Sequence, residues 1–276
     1  MPPSILIPAH NEAAVIGRTL ASLLDGLRED VDVLVACNGC SDGTAEVARR
    51  DSRVRVLEID EASKTAALNA GDEQLAGFPR LYLDADIALA GRHAMLLIDE
   101  LEGGAVAAEP RPTMDTSGAG LLVRAYYAVW ARLHGKQAGD IGAGVYAMSA
   151  EGRQRFETFP KIISDDGFVR AHFGPGEIRV VEEASSRIET PRSVGALIRI
   201  KSRSRLGAIE LAQRFPELWK EKRQRHGSLK GKLLGLSPLF WPLVPVYAAI
   251  QFLARKRAER LAENLEAYRW ERDDRR

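Results

Sequence analysis

The chain has 276 residues, 45% of them hydrophobic, enough for one large α/β domain and a tail. Its two cysteines, Cys37 and Cys40, exclude a disulfide-built scaffold and fit a reducing cytoplasm. The net charge of +1 conceals a division: residues 1–191 hold 19 Lys/Arg against 29 Asp/Glu, residues 192–232 hold 12 against 3, residues 233–254 hold none, and residues 255–276 hold 8 against 6.

The N-terminus carries no basic region ahead of an apolar core, so no secretory signal is expected. Ser4 to Pro8 is a short apolar run and the first expected strand. After His10, Asn11 and Glu12 a helical stretch places Val15, Ile16, Leu20, Leu23 and Leu24 near one face. Val31 to Ala36 reads as a second strand, and Asp42-Gly43-Thr44 opens a second helix at Ala45. Val54 to Leu57 is a third strand, Lys64 begins an Ala-rich helix, and Leu81 to Asp84 is a fourth strand that ends on acid. Strands alternating with helices predict a mostly parallel sheet with helices on both faces. In such sheets ligands bind beyond the carboxyl ends of the strands, where His10, Asn11, Glu12, Asn38, Ser41, Asp42, Asp84 and Asp86 fall.

The second half is less regular. Ala119 to Leu133 is expected to be helical, Gly142 to Ser149 reads as a Gly-led strand under a ligand, and Ile162 to His172 opens with the acidic pair Asp165-Asp166 on a helix start. Leu233 to Ala254 is 22 uncharged residues between Lys230 and Lys232 on one side and Arg255, Lys256 and Arg257 on the other. That length suffices to span a bilayer, but Pro238, Pro242 and Pro245 argue for a kinked or re-entrant interfacial segment, with Trp241 and Tyr247 at headgroup depth. A buried helical hairpin is the alternative. Arg255 to Trp270 reads as a separate amphipathic helix. The basic run of 192–232 leading into apolar sequence favours an anionic membrane surface over nucleic acid as partner. A solvated basic helix that balances the acidic body is the other reading.

Asp84-Ala85-Asp86 is the most informative short feature. Two carboxylates one residue apart, where the backbone turns out of a strand, can face one ligand. A hard cation such as Mg²⁺ or Mn²⁺ takes few protein carboxylates and completes its shell with phosphate oxygens. Such an ion stabilises a departing diphosphate. An isolated Asp-x-Asp is common on solvated loops; its position after Leu81-Tyr82-Leu83 gives it weight.

Ile7-Pro8-Ala9-His10-Asn11-Glu12, Asn38-Gly39-Cys40-Ser41-Asp42-Gly43-Thr44, Lys64-Thr65-Ala66-Ala67-Leu68-Asn69-Ala70-Gly71 and Asp84-Ala85-Asp86 occur in an order and spacing that resembles the family 2 glycosyltransferases of GT-A fold. The resemblance covers residues 4 to about 190 and implies an inverting enzyme that uses a nucleotide-diphosphate sugar and a divalent metal, Mg²⁺ or Mn²⁺. It implies that Pro8, Ala9, His10, Asn11 and Glu12, with Asn38 to Asp42, line the nucleoside pocket. It also implies that Lys64 approaches the base or diphosphate, and that Asp84 and Asp86, with Ala85 between them, handle ribose and metal. Asp166 stands where the family has its catalytic base, with Asp165 in place of the usual Glu beside it.

Two departures stand out. Cys37-Asn38 replaces a common Asp-Asp, and the Gln-x-x-Arg-Trp motif of processive synthases is absent. Arg199, Lys201, Arg203 and Arg205 are candidates to hold the diphosphate, or are solvated or lipid-facing.

Plainer readings stand beside these. Cys37 and Cys40 form a Cys-x-x-Cys that could mean zinc or redox chemistry with His10 nearby. Glu12 and Asp42 could each cap a helix, Lys64 could be solvated, and Asp165 could be the acidic first turn of a helix. The expected organisation is a GT-A domain over 1–191, with a nucleotide-sugar half at 1–110 and an acceptor half at 111–191. Residues 192–276 follow as a basic linker, an apolar membrane-associated segment and an amphipathic helix. The expected acceptor is a glycan, a lipid-linked sugar or a small molecule, reached from the cytoplasmic membrane face. A nucleotidyltransferase would want a Gly-rich basic loop after the first strand. A catalytically dead membrane scaffold of the same fold is the remaining rival.

Overall fold

The computed structural model describes residues 1–134, 144–223, 236–265 and 268. Its strands are β1 (Ser4–Ala9), β2 (Asp32–Asn38), β3 (Val54–Ile59), β4 (Arg80–Leu83), β5 (Ala88–Leu89), β6 (Ala107–Asp115), β7 (Val145–Met148) and β8 (Ile178–Glu189). They form one sheet in the order β3-β2-β1-β4-β7-β6-β8-β5. The four strands of the N-terminal half are parallel, as the alternating pattern predicts. The rest differs from the mostly parallel expectation: β7 runs antiparallel to β4 and β6, and β5 antiparallel to β8. The reversal sets the start of β7 beside the end of β4, with Val145 opposite Leu83.

The helices are α1 (Ile16–Leu24), α2 (Thr44–Ala48), α3 (Lys64–Gln74), α4 (Gly91–Glu102), α5 (Leu121–His134), α6 (Ala150–Arg153), α7 (Asp165–Ala171), α8 (Val194–Arg214), α9 (Pro216–Arg223) and α10 (Val244–Ala262), with a 3-10 helix at Pro238–Leu243. In α1 the spacing of Ile16, Leu20, Leu23 and Leu24 buries one face, as its sequence requires.

The chain divides into two compact units that interleave in sequence, unlike the expected boundary at 191. The first is Met1–Thr113, Gly142–Lys161 and His172–Ile188; the second is Met114–Ile141, Ile162–Ala171 and Glu189–Arg276. The first unit packs β1, β2, β4 and β7 residues such as Ile5, Ile7, Val33, Val35, Leu81 and Val145 against α1 and α4. In the same unit α3 is pinned from below. Asp72 accepts from Arg80 at 2.6 Å, from Arg153 at 2.7 Å and from Tyr82 Oη at 2.8 Å, with the Arg80 side chain 3% exposed. Asn69 exchanges two bonds with the Phe159 backbone, at 2.9 and 2.8 Å.

The second unit has its own core of Val123, Tyr126, Tyr127, Trp130, Leu197, Tyr247 and Ile250. The expectation of Tyr247 at headgroup depth is corrected here: it is 4% exposed, stacked on Tyr126 at 5.0 Å, and its hydroxyl accepts from Gln251. Apolar and charged stretches are also not separate elements, because α10 runs from Val244 through Arg255 to Ala262. Pro245 falls in its first turn, where the missing N–H costs nothing. Among the described residues no helix is long and apolar enough to cross a membrane. Lys230, Lys232 and residues 233–235 lie outside the described residues, as does most of 266–276.

Candidate functional site

β1 and β2 pair so that Ala9 lies opposite Cys37, and the loops that follow them leave the same sheet edge side by side. They are stitched together by their own polar atoms. Asn38 Nδ2 donates to the Ala9 carbonyl at 2.9 Å. His10 Nδ1 lies 2.5 Å from the Asn38 carbonyl, an acceptor only, so Nδ1 carries the proton and Nε2 faces Asn11 Nδ2 at 3.4 Å. The Asn11 amide donates to Cys40 Sγ at 3.3 Å, and Ser41 N donates to Asn11 Oδ1 at 2.7 Å. Glu12 N donates to Thr44 Oγ1 at 2.7 Å and Ala13 N to Asp42 Oδ2 at 3.2 Å, while Asp42 Oδ1 accepts from the Thr44 amide and hydroxyl.

Two backbone features make this possible. Asn11 sits in the left-handed region at φ 54°, which Asn tolerates better than most side chains. Gly39 is also left-handed, at φ 54°, and a Cβ there would fall 2.7 Å from that of Ala62. The result is a rigid, preformed rim. Pro8 and Ala9 are buried within β1, and Asn38 is 3% exposed. Asn38 thus shapes the rim from beneath, with almost no surface of its own to give to a ligand. The N-cap positions of α1 and α2 are Val15 and Gly43, neither with a side-chain cap, and Asp42 Oδ1 instead takes the first amide of α2, that of Thr44.

The zinc reading of the cysteines fails. Among the described residues no three His, Cys, Asp or Glu side chains gather as a metal-holding group. Burial, together with the neighbouring Cys40, pushes the Cys37 thiol up to about 12.

β4 ends at Leu83, and the chain turns at once through Asp84, Ala85 and Asp86, closed by Ile87 N donating to the Asp84 carbonyl at 3.1 Å. Ala85 is buried, its carbonyl held by Thr19 Oγ1 at 2.7 Å. Asp84 is one-third exposed, and its Oδ1 lies 2.7 Å from Lys64 Nζ. Lys64 is the first residue of α3, behind the N-cap Ser63. An ammonium at the positive end of a helix is unfavourable by the helix dipole, so the carboxylate at Asp84 is what holds it there. The antiparallel β7 supplies the last constraint: Gly144 O accepts from Asp84 N at 2.8 Å, and a Cβ at Gly144 would fall 2.7 Å from Asp84 Oδ2. Gly142 and Ala143 lie outside the described residues. Among the described residues no third acid, His or Cys gathers with Asp84 and Asp86, and two carboxylates are a donor set that a hard divalent cation takes when diphosphate oxygens and water complete its shell.

In the second unit Asp165 and Asp166 open α7, as predicted. Asp165 is buried; Asp166 Oδ1 accepts from Ser164 Oγ at 2.8 Å and from Gly167 N at 2.7 Å. The segment before them is fixed by Glu210, whose Oε2 accepts from Ile163 N at 2.7 Å, and by Gly207, where a Cβ would fall 2.7 Å from that of Ser164. Two of the basic candidates on α8 are committed elsewhere. Lys201 lies over the rings of Tyr126, Tyr127 and Trp130 at 6.0, 5.8 and 5.5 Å, and Arg205 donates to Gln251 at 2.7 Å.

Sequence reasoning missed Thr44, Asp72, Gly144 as the clamp on Asp84, and Glu210. Only Gly144 left a usable signal, in the Gly-x-Gly ahead of β7.

The glycosyl transferase family 2 profile matches from Ser4, at the start of β1, through residue 138. Residues 4–138 belong to glycosyl transferase family 2. Among relatives of this family 2 domain is the glycosyltransferase AglD of Haloferax volcanii, 32% identical over 111 residues, which are 37% of this chain and 18% of that protein. The chain spans less than a third of the length of the curated relatives it matches. The fold is that of the mannosyltransferase PcManGT of Pyrobaculum calidifontis, solved with GDP-Man and Mn²⁺, at a TM-score of 0.61 and 18% identity over 98% of this chain and 76% of that one. Glucosyl-3-phosphoglycerate synthase of Mycobacterium tuberculosis, solved with Mn²⁺ and UDP-Glc, gives a TM-score of 0.56 and 21% identity over 76% of this chain and 78% of that one. The family 2 domain thus has the GT-A fold.

Proposed function

We propose that the chain is a glycosyltransferase that moves a sugar from a nucleotide-diphosphate sugar to an acceptor hydroxyl with inversion, at the cytoplasmic membrane face. The observation that carries this reading is the Asp84-Ala85-Asp86 turn at the end of β4, with Lys64 held 2.7 Å from Asp84 inside a family 2 domain. Asp84 and Asp86 would hold Mg²⁺ or Mn²⁺, and the ion would stabilise charge on the departing diphosphate. Lys64 is on a flexible stem and can pass from Asp84 to a phosphate oxygen. His10, Asn11, Glu12 and Asp42 form the rim against which the nucleoside would rest. Asp166 would take the proton of the acceptor hydroxyl as that oxygen attacks the anomeric carbon in a single displacement. Structures of the same fold that hold GDP-Man or UDP-Glc with Mn²⁺ support the donor class.

The test is a thermal-shift and turnover screen of nucleotide sugars with and without Mn²⁺. One or more donors should stabilise the protein only when the ion is present, and Asp86→Ala should abolish that shift while leaving the unliganded melting temperature within a few degrees. Ion-independent stabilisation by every donor tested would refute the metal assignment.

A further inference from the structure

Beyond the donor site, the second unit carries an exposed apolar surface beside a concentration of cations. In α10 one face is spent on packing, with Tyr247, Ile250, Ala254 and Ala258 buried. The neighbouring stripe is not. Phe252 is 59% and Leu253 48% exposed, and four and five residues on come Lys256 and Arg257, then Arg260, positions that recur along one side of a helix. With Ile198 of α8 these five residues line an open groove of about 610 Å³. The 3-10 helix at Pro238–Leu243 adds Leu239 at 79% and Trp241 at 56% exposure to the apolar surface of the unit.

Charge on this part of α10 is one-sided. Arg255, Lys256, Arg257 and Arg260 stand against Glu259 and Glu263. Glu259 is engaged by Arg255 at 2.8 Å and by Lys256 at 3.2 Å, so the acid is satisfied from within the helix and a positive excess remains. A solvated basic helix explains the cations but not Phe252 and Leu253, whose exposure is a cost in water. A nucleic acid would answer the cations and leave the apolar pair unanswered. A surface that offers phosphates at its outer level and hydrocarbon just beneath answers both, since lysine and arginine reach the phosphate level while their stems lie along apolar groups.

We propose that the groove lined by Ile198, Phe252, Leu253, Lys256, Arg257 and Arg260 docks on an anionic phospholipid surface. Phe252 and Leu253 enter the acyl boundary, and Lys256, Arg257 and Arg260 meet lipid phosphates. The docking uses no step of sugar transfer, so it stands or falls apart from the proposed activity, and it narrows the attachment device to Phe252 and Leu253, at the end of the 22-residue uncharged run, and the cations that follow them.

The test is flotation of the full chain with vesicles of phosphatidylcholine alone and of phosphatidylcholine mixed equally with phosphatidylglycerol. Binding to the mixed vesicles only is expected. Lys256→Gln with Arg260→Gln should weaken it roughly 25-fold, taking about 1 kcal/mol for each cation near an anionic surface. Phe252→Ser with Leu253→Ser should weaken it at least tenfold and leave a remainder that high salt removes, because apolar insertion is not screened. Circular dichroism checks that each variant is folded. Should a double variant fail that check, the single exposed Arg260→Gln variant, expected to lose roughly fivefold, gives the readout. Calorimetry of nucleotide-diphosphate binding in the same variants, expected unchanged, separates a failure of docking from a failure of the donor reading. Equal binding to neutral and mixed vesicles, no binding to either, or variants that float like the parent chain would each overturn the proposal.

Discussion

Asp84 and Asp166 are both part-exposed carboxylates at the point where the backbone passes between an element and a loop, one beside an ammonium and the other taking bonds from its own helix start. Asp84 leaves a strand, its Oδ1 faces the ammonium of Lys64, and its backbone is clamped by Gly144. Asp166 enters a helix, and its Oδ1 takes bonds from a neutral hydroxyl and a neutral amide. A cation on a long side chain is a partner that can be exchanged for another cation. A hydroxyl two residues back and an amide one residue on orient a carboxylate locally. On the proposed roles, the first arrangement would serve an acid that accepts a metal, the second an acid that keeps its orientation while it gains and loses a proton.

The largest effect that bears on this contrast is expected at Asp166. Asp166→Asn keeps size and hydrogen bonding but removes proton acceptance, so kcat should fall by roughly 10²–10⁴-fold while donor affinity hardly changes. Asp165→Asn should be milder; steady-state kinetics that find it the more damaging would reverse the two roles. Next comes Gly144→Ala. The left-handed φ of 64° and the 2.7 Å approach to Asp84 Oδ2 leave no room for a methyl group. About 1–3 kcal/mol of stability should be lost, together with displacement of Asp84, measured by denaturant unfolding and by Mn²⁺-dependent calorimetry. Unchanged Mn²⁺-dependent affinity in this variant would mean that Asp84 is not positioned by β7.

Lys64→Met tests exchangeability directly. Removing the competing ammonium should tighten binding of Mn²⁺ alone by roughly twofold to fivefold, the conversion of about 0.5–1 kcal/mol for a part-exposed ion pair. The same variant should bind a nucleotide diphosphate with Mn²⁺ more weakly. If both affinities fall, Lys64 is holding the turn together and is not a place-holder.

A separate prediction concerns Lys201, which lies over aromatic rings. Burial, with Arg205 beside it, lowers its ammonium to about 8 from the ordinary 10.5. Between those values the unfolded chain binds the proton and the folded chain does not, so stability from this group rises with pH over that window. The gain is at most about 3 kcal/mol, less what the rings return to the cation. Urea unfolding of the parent chain against Lys201→Met at pH 8 and pH 10 should show the parent gaining on the variant; a constant difference would remove the assignment.

Much of the donor side could be read from residue order alone, because strand ends and acids coincide there: His10 to Glu12, Asn38 to Asp42, Lys64 and Asp84 all fall where apolar runs stop. What stayed hidden depends on contacts between residues far apart in the chain. Asn38 stands in the donor motif in sequence, and only the structure shows its bond to the Ala9 carbonyl. The antiparallel return of β7, which brings Gly144 onto Asp84 from 60 residues away, has no local signature beyond two glycines. Within the uncharged run the sequence could not sort one side chain from another. Mean apolarity cannot tell a lipid-facing side chain from one stacked on Tyr126, and Tyr247 proved to be the latter.

The continuity of α10 bears on how this protein should be handled at the bench. Uncharged residues before charged ones invite a shortened version that stops ahead of residue 233, made to ease purification. Such a version would discard Tyr247 and Ile250 along with Phe252 and Leu253, stripping Tyr126 of its stacking partner and opening the aromatic core of the second unit to water. Poor yield or aggregation of that product would then reflect a missing piece of interior. Point changes confined to the outward stripe are the safer route to a well-behaved sample.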